Sequence, residues 1–217
     1  MADIGKPIVF TREQKQLIAD AVATPSFTHR DWGAEDLEPL RSAVREYYRV
    51  KQKGRCAYCK KDVSLRSASN CHVEHIAPKS KYQQFMFEPK NLCVICADCN
   101  EIKREQEVHV REPDTIAPKK APKQYPRSSN AFRIVHPHFD TYDDHIFVFG
   151  QFYVDKSDKG LFTIGACMLN RKLRKFGWTP EFDQAAINEA AGKLLEAKDP
   201  NERTHAMLLL KRLFDSV

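Results

Sequence analysis

The chain has 217 residues, of which 42% are hydrophobic and 29% charged, a composition that allows one substantial domain or a small module with flanking helices. No apolar run approaches the roughly 20 residues of a membrane span, and residues 1–6 lack the apolar stretch of a signal peptide. We therefore expect a cytoplasmic protein, and its net charge of +6 favours a polyanionic partner.

Two helices are predicted at the start of the chain, within an N-terminal helical segment at 1–54. The sequence Thr11-Arg12-Glu13-Gln14 resembles a capping box that opens a helix reaching about residue 23. A second helix is expected at about 35–50. It leads directly into the sequence Cys56-Ala57-Tyr58-Cys59.

That sequence is the first of two Cys-x-x-Cys pairs, and the second is formed by Cys96 and Cys99. This spacing is typical of a tetrahedral zinc site, and disulfides are rare in cytosolic proteins. Cys93 leaves an alternative open, because Cys93 and Cys96 have the same spacing as the second pair. We predict a structural Zn²⁺ bound by Cys56, Cys59, Cys96 and Cys99.

A carboxylate and an imidazole lie side by side between the cysteine pairs, on a short strand predicted at 71–77. A loop is expected at 78–92, and a helix is expected to start near Ala97. Hydrolysis of a phosphodiester needs a base for the attacking water and a cation for the developing charge. His75, with an ordinary pKa of about 6.5, suits the base, and Glu74 is a hard oxygen ligand for Mg²⁺ or Mn²⁺.

The rest of the chain is predicted to contain a linker and a C-terminal region. Residues 111–130 hold four prolines and many charges, which favours a linker or mobile loop. Region 131–217 is expected to form a β-hairpin and helices, since Thr179-Pro180 and Asp199-Pro200 are typical helix starts. The expected elements are strands at 146–149, 152–154 and 161–164, and helices at 166–176, about 180–197 and 200–215.

The motifs between the two cysteine pairs and along the following helix resemble the core of the HNH endonuclease family. They are Val73-Glu74-His75-Ile76-x-Pro78, Asn91-Leu92 and Cys96-x-x-Cys99-Asn100-x-x-Lys103. The resemblance implies an α+β fold with a ββα-metal nuclease core at 55–110, built on the four-cysteine zinc site.

The same resemblance implies a role for each motif residue. His75 is expected to be the general base. Asn91 is expected to stabilise the loop and to help orient the His75 side chain. Glu74 and Asn100 are expected to bind the catalytic Mg²⁺ or Mn²⁺. Lys103, one turn further along the helix, is expected to reach a phosphate.

A looser likeness extends beyond this core. The run from Val73 to Ser80 and the later Leu169-Asn170-Arg171 look like the bacterial HNH proteins of retron and Septu anti-phage systems. In that group the nuclease works beside an ATPase partner. The likeness implies a role in anti-phage defence with such a partner.

Three basic runs, at 45–61, 119–127 and 171–175, are candidates for binding phosphates. For any one run, the alternative is a solvated helix face. We expect DNA as the bound polymer and leave RNA open. The residues expected to contact nucleic acid are Arg55, Lys60, Lys61, Lys103, Lys119 and Lys120.

Other functions remain open at this point. A zinc-stabilised nucleic-acid-binding module, or a non-catalytic subunit of a defence complex, would need the cysteines and the basic runs alone. A zinc deaminase is imitated by His72-Val73-Glu74, although Ile95 stands where its motif has proline. The segment from His136 to Asp140 is either a second site or a turn with packed side chains.

Overall fold

The computed structural model describes residues 2–108, 113–117, 122–149, 152–176 and 184–215. Within these ranges the chain folds as α+β, with eight α-helices and four short strands paired as two two-stranded sheets. This confirms the expected fold class. The chain divides into two compact units, Met1–Ile146 with Asp155–Met168, and Phe147–Val154 with Leu169–Val217. None of the helices in the described ranges is long and apolar enough to span a lipid bilayer.

The first two predicted helices are both present. Helix α1 spans Arg12–Ala23, and the Thr11 and Gln14 side chains form the predicted capping box before it. Helix α2 spans Glu38–Lys51, and a short 3-10 turn at Glu35–Leu37 replaces the predicted first turn. The buried face of α2 is formed by Leu40, Val44 and Tyr48. This helix therefore belongs to the core of the first unit.

An antiparallel sheet follows helix α2. Strand β1 spans His72–His75 and strand β2 spans Leu92–Ile95, with Glu74 opposite Cys93. The sequence predicts β1 but not β2, because the four apolar residues of β2 are all buried and show no alternation. Helix α3 spans Ala97–Val108, begins where predicted, and packs against β1.

The Pro-rich stretch predicted as a linker contacts the core where it is described. The Thr115 hydroxyl donates to the Ile76 carbonyl at 2.8 Å. Ile116 forms an isolated bridge with Phe132, and Tyr125 is buried. These anchors are one side-chain hydrogen bond, one backbone bridge and one buried ring, which the proline and charge content of the stretch does not reveal. Lys119 and Lys120, two of the expected nucleic-acid contacts, lie outside the described residues.

The predicted hairpin is present, but the third predicted strand is wrong. Helix α4 spans Tyr142–His145 and leads into strand β3, Ile146–Phe149, which pairs with strand β4, Phe152–Asp155. Residues 161–164 lie in helix α5, Asp158–Ala166. An apolar run of this length fits a strand or a buried helix equally well.

The local capping decides between the two in favour of the helix. The Ser157 hydroxyl accepts from the Gly160 amide at 3.2 Å, as an N-cap does. Gly160 also allows α5 to approach the preceding backbone, because a Cβ at this position would lie 2.0 Å from the carbonyl oxygen of His145.

The second unit carries three helices. They are α6, Arg171–Phe176, α7, Gln184–Glu196, and α8, Pro200–Asp215. The Asp199 carboxylate accepts from the amides of Asn201 and Glu202, which confirms the predicted cap of α8. The other predicted cap, at Thr179-Pro180, lies outside the described residues. Helices α7 and α8 pack against each other as a hairpin.

Candidate active site

Four cysteine side chains converge in the first unit. The sulfur atoms of Cys56, Cys59, Cys96 and Cys99 all lie within 4.8 Å of one another, and all four residues are buried. Cys59 Sγ and Cys96 Sγ are 3.6 Å apart. Zn–S bonds of about 2.3 Å in a tetrahedron place sulfur atoms roughly 3.8 Å apart. The four side chains therefore fit a tetrahedral Zn²⁺, as the two Cys-x-x-Cys pairs predict.

The first pair of cysteines lies in a tight chain reversal. Gly54 and Lys60 adopt left-handed φ angles of 70° and 57°, which turn the chain sharply. The Cys56 amide donates to the Lys61 carbonyl at 2.8 Å, and the Lys60 amide donates to the Cys56 carbonyl at 3.1 Å. This reversal brings the sulfur atoms of Cys56 and Cys59 to the same side.

The second pair lies at the start of α3. Cys96 directly precedes the helix and Cys99 lies in its first turn, while the Asn70 side chain accepts from the Ala97 amide at 2.8 Å. The partial positive charge of a helix N-terminus favours thiolates. Burial nevertheless raises the pKa of the Cys56 thiol. A cation such as Zn²⁺ would favour the thiolate form of Cys56.

The alternative ligand and the alternative enzyme class both fit the structure poorly. Cys93 lies on β2 opposite Glu74 and outside the cluster of four sulfurs. The His72 imidazole contacts the Ser69 carbonyl at 2.9 Å. Four thiolates fill a tetrahedral shell and leave no position for a reactive water, which a zinc deaminase needs. The cluster has the form of a structural site.

Glu74 forms an ion pair with the ammonium group of Lys103 on α3. Lys103 Nζ is 2.6 Å from Glu74 Oε1, and the Tyr58 hydroxyl donates to the same oxygen at 3.0 Å. Glu74 and Lys103 are 6% and 8% exposed. A buried carboxylate needs such a partner, because desolvation of an unpaired charge is costly.

His75 is buried and neutral. Its Nε2 atom lies 3.1 Å from the Met86 carbonyl, and a carbonyl can only accept, so Nε2 carries the proton. Burial lowers the pKa of His75 to about 3, with a smaller effect from the charge of Lys79. At neutral pH the ring is therefore uncharged, and Nδ1 holds the lone pair that can accept a proton.

An aromatic ring from the N-terminal segment covers His75. The Trp32 indole packs edge-on against the imidazole with ring centroids 4.6 Å apart. Arg41 Nη1 donates to the carbonyls of Trp32 at 2.6 Å and Ala34 at 2.7 Å. These bonds fix the loop that carries the indole against the imidazole.

Asn91 joins the two ends of the loop between β1 and β2. Its Oδ1 accepts from the Ala77 amide at 2.6 Å. Its Nδ2 donates to the carbonyls of Ala77 at 3.2 Å and Phe85 at 2.9 Å. The same loop carries Met86, the partner of His75. Asn91 therefore ties together the loop that carries Met86.

Asn100 lies on the face of α3 that carries Lys103 to Glu74, since residues three apart on a helix are neighbours. A carboxylate and a carboxamide offer the hard oxygens that Mg²⁺ and Mn²⁺ prefer. The Lys103 ammonium shows that this place already stabilises a positive charge. Glu74 and Asn100 are therefore the residues that could hold a divalent cation apart from the thiolate site.

The residues expected to bind nucleic acid differ in their surroundings. Lys60 is held within the chain: its ammonium pairs with Asp3, donates to the Ala57 carbonyl at 2.9 Å, and lies 4.1 Å from the centroid of the Tyr142 ring. Arg55 is exposed and Lys61 is half-buried. The other arginines of the 45–61 run with described ion pairs are Arg45 with Glu38, and Arg49 with Glu46.

His136 and His138 form a buried hydrogen-bond network. His136 Nε2 lies 2.8 Å from the Tyr125 hydroxyl, and His138 Nε2 lies 2.9 Å from the Leu92 carbonyl. The Asp140 carboxylate accepts from the His136 amide at 2.7 Å. Across the described part of the chain these side chains do not form a metal-ligand cluster. The interpretation as a turn with packed side chains fits these contacts.

Sequence reasoning missed three residues that shape the site: Trp32, Tyr58 and Met86. Met86 acts through its carbonyl, which no residue pattern reveals. Trp32 reaches His75 through the tertiary fold. Tyr58 is the one for which the sequence carried a signal, since its aromatic ring lies inside a Cys-x-x-Cys pair next to the predicted zinc ligands.

A family model described as HNH endonuclease matches residues 56–106. This range contains both cysteine pairs, Glu74 and His75, Asn91, and the part of α3 with Asn100 and Lys103. No curated protein matches the chain. The match confirms the resemblance drawn from the motifs, over roughly a quarter of the chain.

Proposed function

We propose that this chain, which carries an HNH endonuclease domain at residues 56–106, is a divalent-metal-dependent endonuclease that hydrolyses phosphodiester bonds of DNA. The proposal is based on the neutral imidazole of His75, which follows Glu74 directly in that domain. The Met86 carbonyl holds this ring by accepting from its Nε2 atom. The likeness of Val73–Ser80 to retron and Septu proteins supports a role in bacterial anti-phage defence beside an ATPase partner.

The chain's own residues supply the base and its orientation. His75 accepts the proton of the attacking water at Nδ1, because Nε2 already donates to Met86. Asn91 keeps that carbonyl in place by bridging Ala77 and Phe85. Proton transfer to a positioned base typically accelerates such a reaction by 10²–10⁴-fold. Burial under Trp32 excludes competing water from the rest of the ring.

Glu74 and Asn100 are the residues that would hold the catalytic cation. A bound Mg²⁺ or Mn²⁺ would stabilise the charge on the phosphate and on the departing oxygen. Lys103 shares Glu74 Oε1 with the Tyr58 hydroxyl. A shift of its ammonium away from this oxygen opens the carboxylate to a cation and lets Lys103 approach a phosphate instead.

A non-catalytic nucleic-acid-binding module is the second candidate. The observation in its favour is that Lys103 already neutralises Glu74, while Trp32 covers His75. In this case the zinc would only stabilise the fold that presents the basic residues to nucleic acid. The two candidates differ in a single observable, the cleavage of nucleic acid.

The purified protein is expected to nick or cut supercoiled plasmid with Mg²⁺ or Mn²⁺ and to leave it intact in EDTA under conditions that retain zinc. Glu74→Gln should lose most of this activity, because it removes the only negative charge among the proposed ligands. Gel electrophoresis of plasmid and of an RNA substrate, run in parallel, measures both effects and separates DNA from RNA.

Glu46→Gln is the matched control, since it removes a carboxylate that pairs with Arg49 on α2. It should cleave like the wild type. Full cleavage in EDTA would contradict the divalent-metal site. Absence of cleavage with either metal, while DNA binding persists, would favour the non-catalytic module.

Charge removal tests the proposed DNA contacts. We expect the combined change of Arg55, Lys61, Lys119 and Lys120 to alanine to make binding less dependent on salt. Each lost phosphate contact should lower the slope of log K against log salt by about 0.9 for duplex DNA. Fluorescence anisotropy titrations at several salt concentrations measure this slope.

Lys60→Ala is the comparison for this experiment. Its ammonium is held by Asp3 and Tyr142, so we expect its loss to change stability more than the slope. An unchanged slope in the fourfold variant would mean that these cations are solvated surface. The DNA affinity would then have to come from a partner protein, such as the ATPase.

A further inference from the structure

The turn that carries Asn91 is held at every carbonyl from residue 89 to residue 92. The Tyr48 hydroxyl donates to the Pro89 carbonyl at 2.6 Å, and the Tyr125 hydroxyl donates to the Lys90 carbonyl at 3.1 Å. The Ile76 amide donates to the Asn91 carbonyl at 2.9 Å. His138 Nε2 lies 2.9 Å from the Leu92 carbonyl.

Three of these four donors lie outside the family-matched range 56–106. Tyr48 lies on α2, Tyr125 lies in the Pro-rich stretch, and His138 precedes α4. They are 0%, 5% and 8% exposed. A buried polar group that loses its hydrogen-bond partner is costly, because it has no water to bond instead. These three donors therefore hold the carbonyls of the turn in fixed positions.

The direction of the bonds is set by the neutral state of the imidazoles. Burial lowers the pKa of His136 well below its ordinary value and lowers the pKa of His138 to about 4. His136 Nδ1 accepts from the His138 amide at 3.2 Å, so its Nε2 carries the proton toward the Tyr125 oxygen. The Tyr125 hydroxyl is then left to donate to Lys90.

A short chain of contacts joins this turn to the proposed base. The Asn91 side chain bonds the carbonyl of Phe85 at 2.9 Å, and the next residue, Met86, presents its carbonyl to His75 Nε2 at 3.1 Å. A displaced turn would therefore shift Asn91, then Met86, and finally the imidazole.

We propose that Tyr48, Tyr125 and His138 are positioning residues for His75, acting through the turn at 89–92. This inference rests on the proposed nuclease function. It assigns to the segments that flank the HNH domain a role in catalysis, namely fixing the orientation of the base. The alternative is that these bonds contribute only to stability.

The test compares Tyr48→Phe, Tyr125→Phe and His138→Ala with Tyr47→Phe. Tyr47 is a matched control, because its hydroxyl also donates to main-chain carbonyls, those of Lys6 and Pro7 at 3.1 Å, but not to the turn. We expect the three turn variants to lose roughly 10- to 100-fold in kcat, as a misplaced catalytic group does. KM should stay within about twofold of the wild type, since substrate contacts are unchanged.

A second readout does not depend on cleavage. The Nε2–H proton of His75, identified by its absence in His75→Ala, should give a slowly exchanging imidazole resonance in ¹⁵N-histidine-labelled protein. We expect this resonance to broaden or exchange faster in the three turn variants and to persist in Tyr47→Phe. His138→Gln, whose amide can donate to Leu92, should restore both the resonance and kcat.

The outcomes distinguish a failure of the nuclease function from a failure of the positioning role. A wild-type protein that does not cleave would overturn the nuclease function, while the resonance would still decide whether the three donors position His75. Turn variants that match Tyr47→Phe in both kcat and the resonance would overturn the positioning role.

Discussion

His75→Ala is expected to abolish most phosphodiester cleavage, with a loss of 10²–10⁴-fold in kcat, the range typical of a missing general base. The reason is local: the ring is neutral, its Nε2 proton is committed to Met86, and Nδ1 is the remaining basic atom. DNA binding and zinc content should stay close to wild type, because neither the basic runs nor the cysteines are touched. Single-turnover cleavage with saturating metal measures the effect.

His72→Ala is the matched control for this result. It removes an imidazole from the same strand whose described bond is to the Ser69 carbonyl at 2.9 Å. We expect this variant to retain cleavage. A His75→Ala protein that is folded, as judged by circular dichroism, and still cleaves within about twofold of wild type would remove His75 from the role of base.

Loss of one cysteine of the zinc cluster is expected to unfold the chain. Zinc binding to such sites is worth about 10–16 kcal/mol, whereas the whole stability of a domain is roughly 5–15 kcal/mol. Cys99→Ser should therefore lack bound zinc and show no cooperative melting transition. Elemental analysis, expected to give one zinc per wild-type chain, and thermal circular dichroism measure both effects.

Cys93→Ala serves as the control, since it removes a buried thiol outside the cluster. It should keep its zinc and melt cooperatively, though at a lower temperature because of the small cavity. Wild-type protein that is well folded and contains no zinc would contradict the metal site. A zinc-free Cys93→Ala protein would show that Cys93 is a ligand.

The sequence was most informative where the chemistry is local. The two Cys-x-x-Cys pairs predict the zinc cluster because each pair brings its own geometry, and the structure needs only to bring the pairs together. The caps at Thr11 and Asp199 were predictable for the same reason, since a capping side chain reaches only two or three residues along the chain.

The sequence was least informative where a contact depends on the tertiary fold. Nothing near Trp32 indicates that its ring covers His75, and the hydroxyls of Tyr48 and Tyr125 meet the same turn from distant parts of the chain. Short apolar runs were a second weakness. Residues 161–164 form a helix and Leu92–Ile95 a strand, although both runs lack a distinguishing period.

In the proposed mechanism, the ion pair between Lys103 and Glu74 separates the metal that stabilises the fold from the metal that takes part in the reaction. A ligand stabilises a folded chain only by its net affinity for the native state. Because Lys103 already compensates the buried carboxylate, exchange of this ammonium for the proposed divalent cation would add little to the folding equilibrium. If Glu74 holds the proposed Mg²⁺, zinc would decide whether the chain is folded and magnesium whether the folded chain reacts. Supply of the second ion would then regulate turnover without changing the amount of native protein.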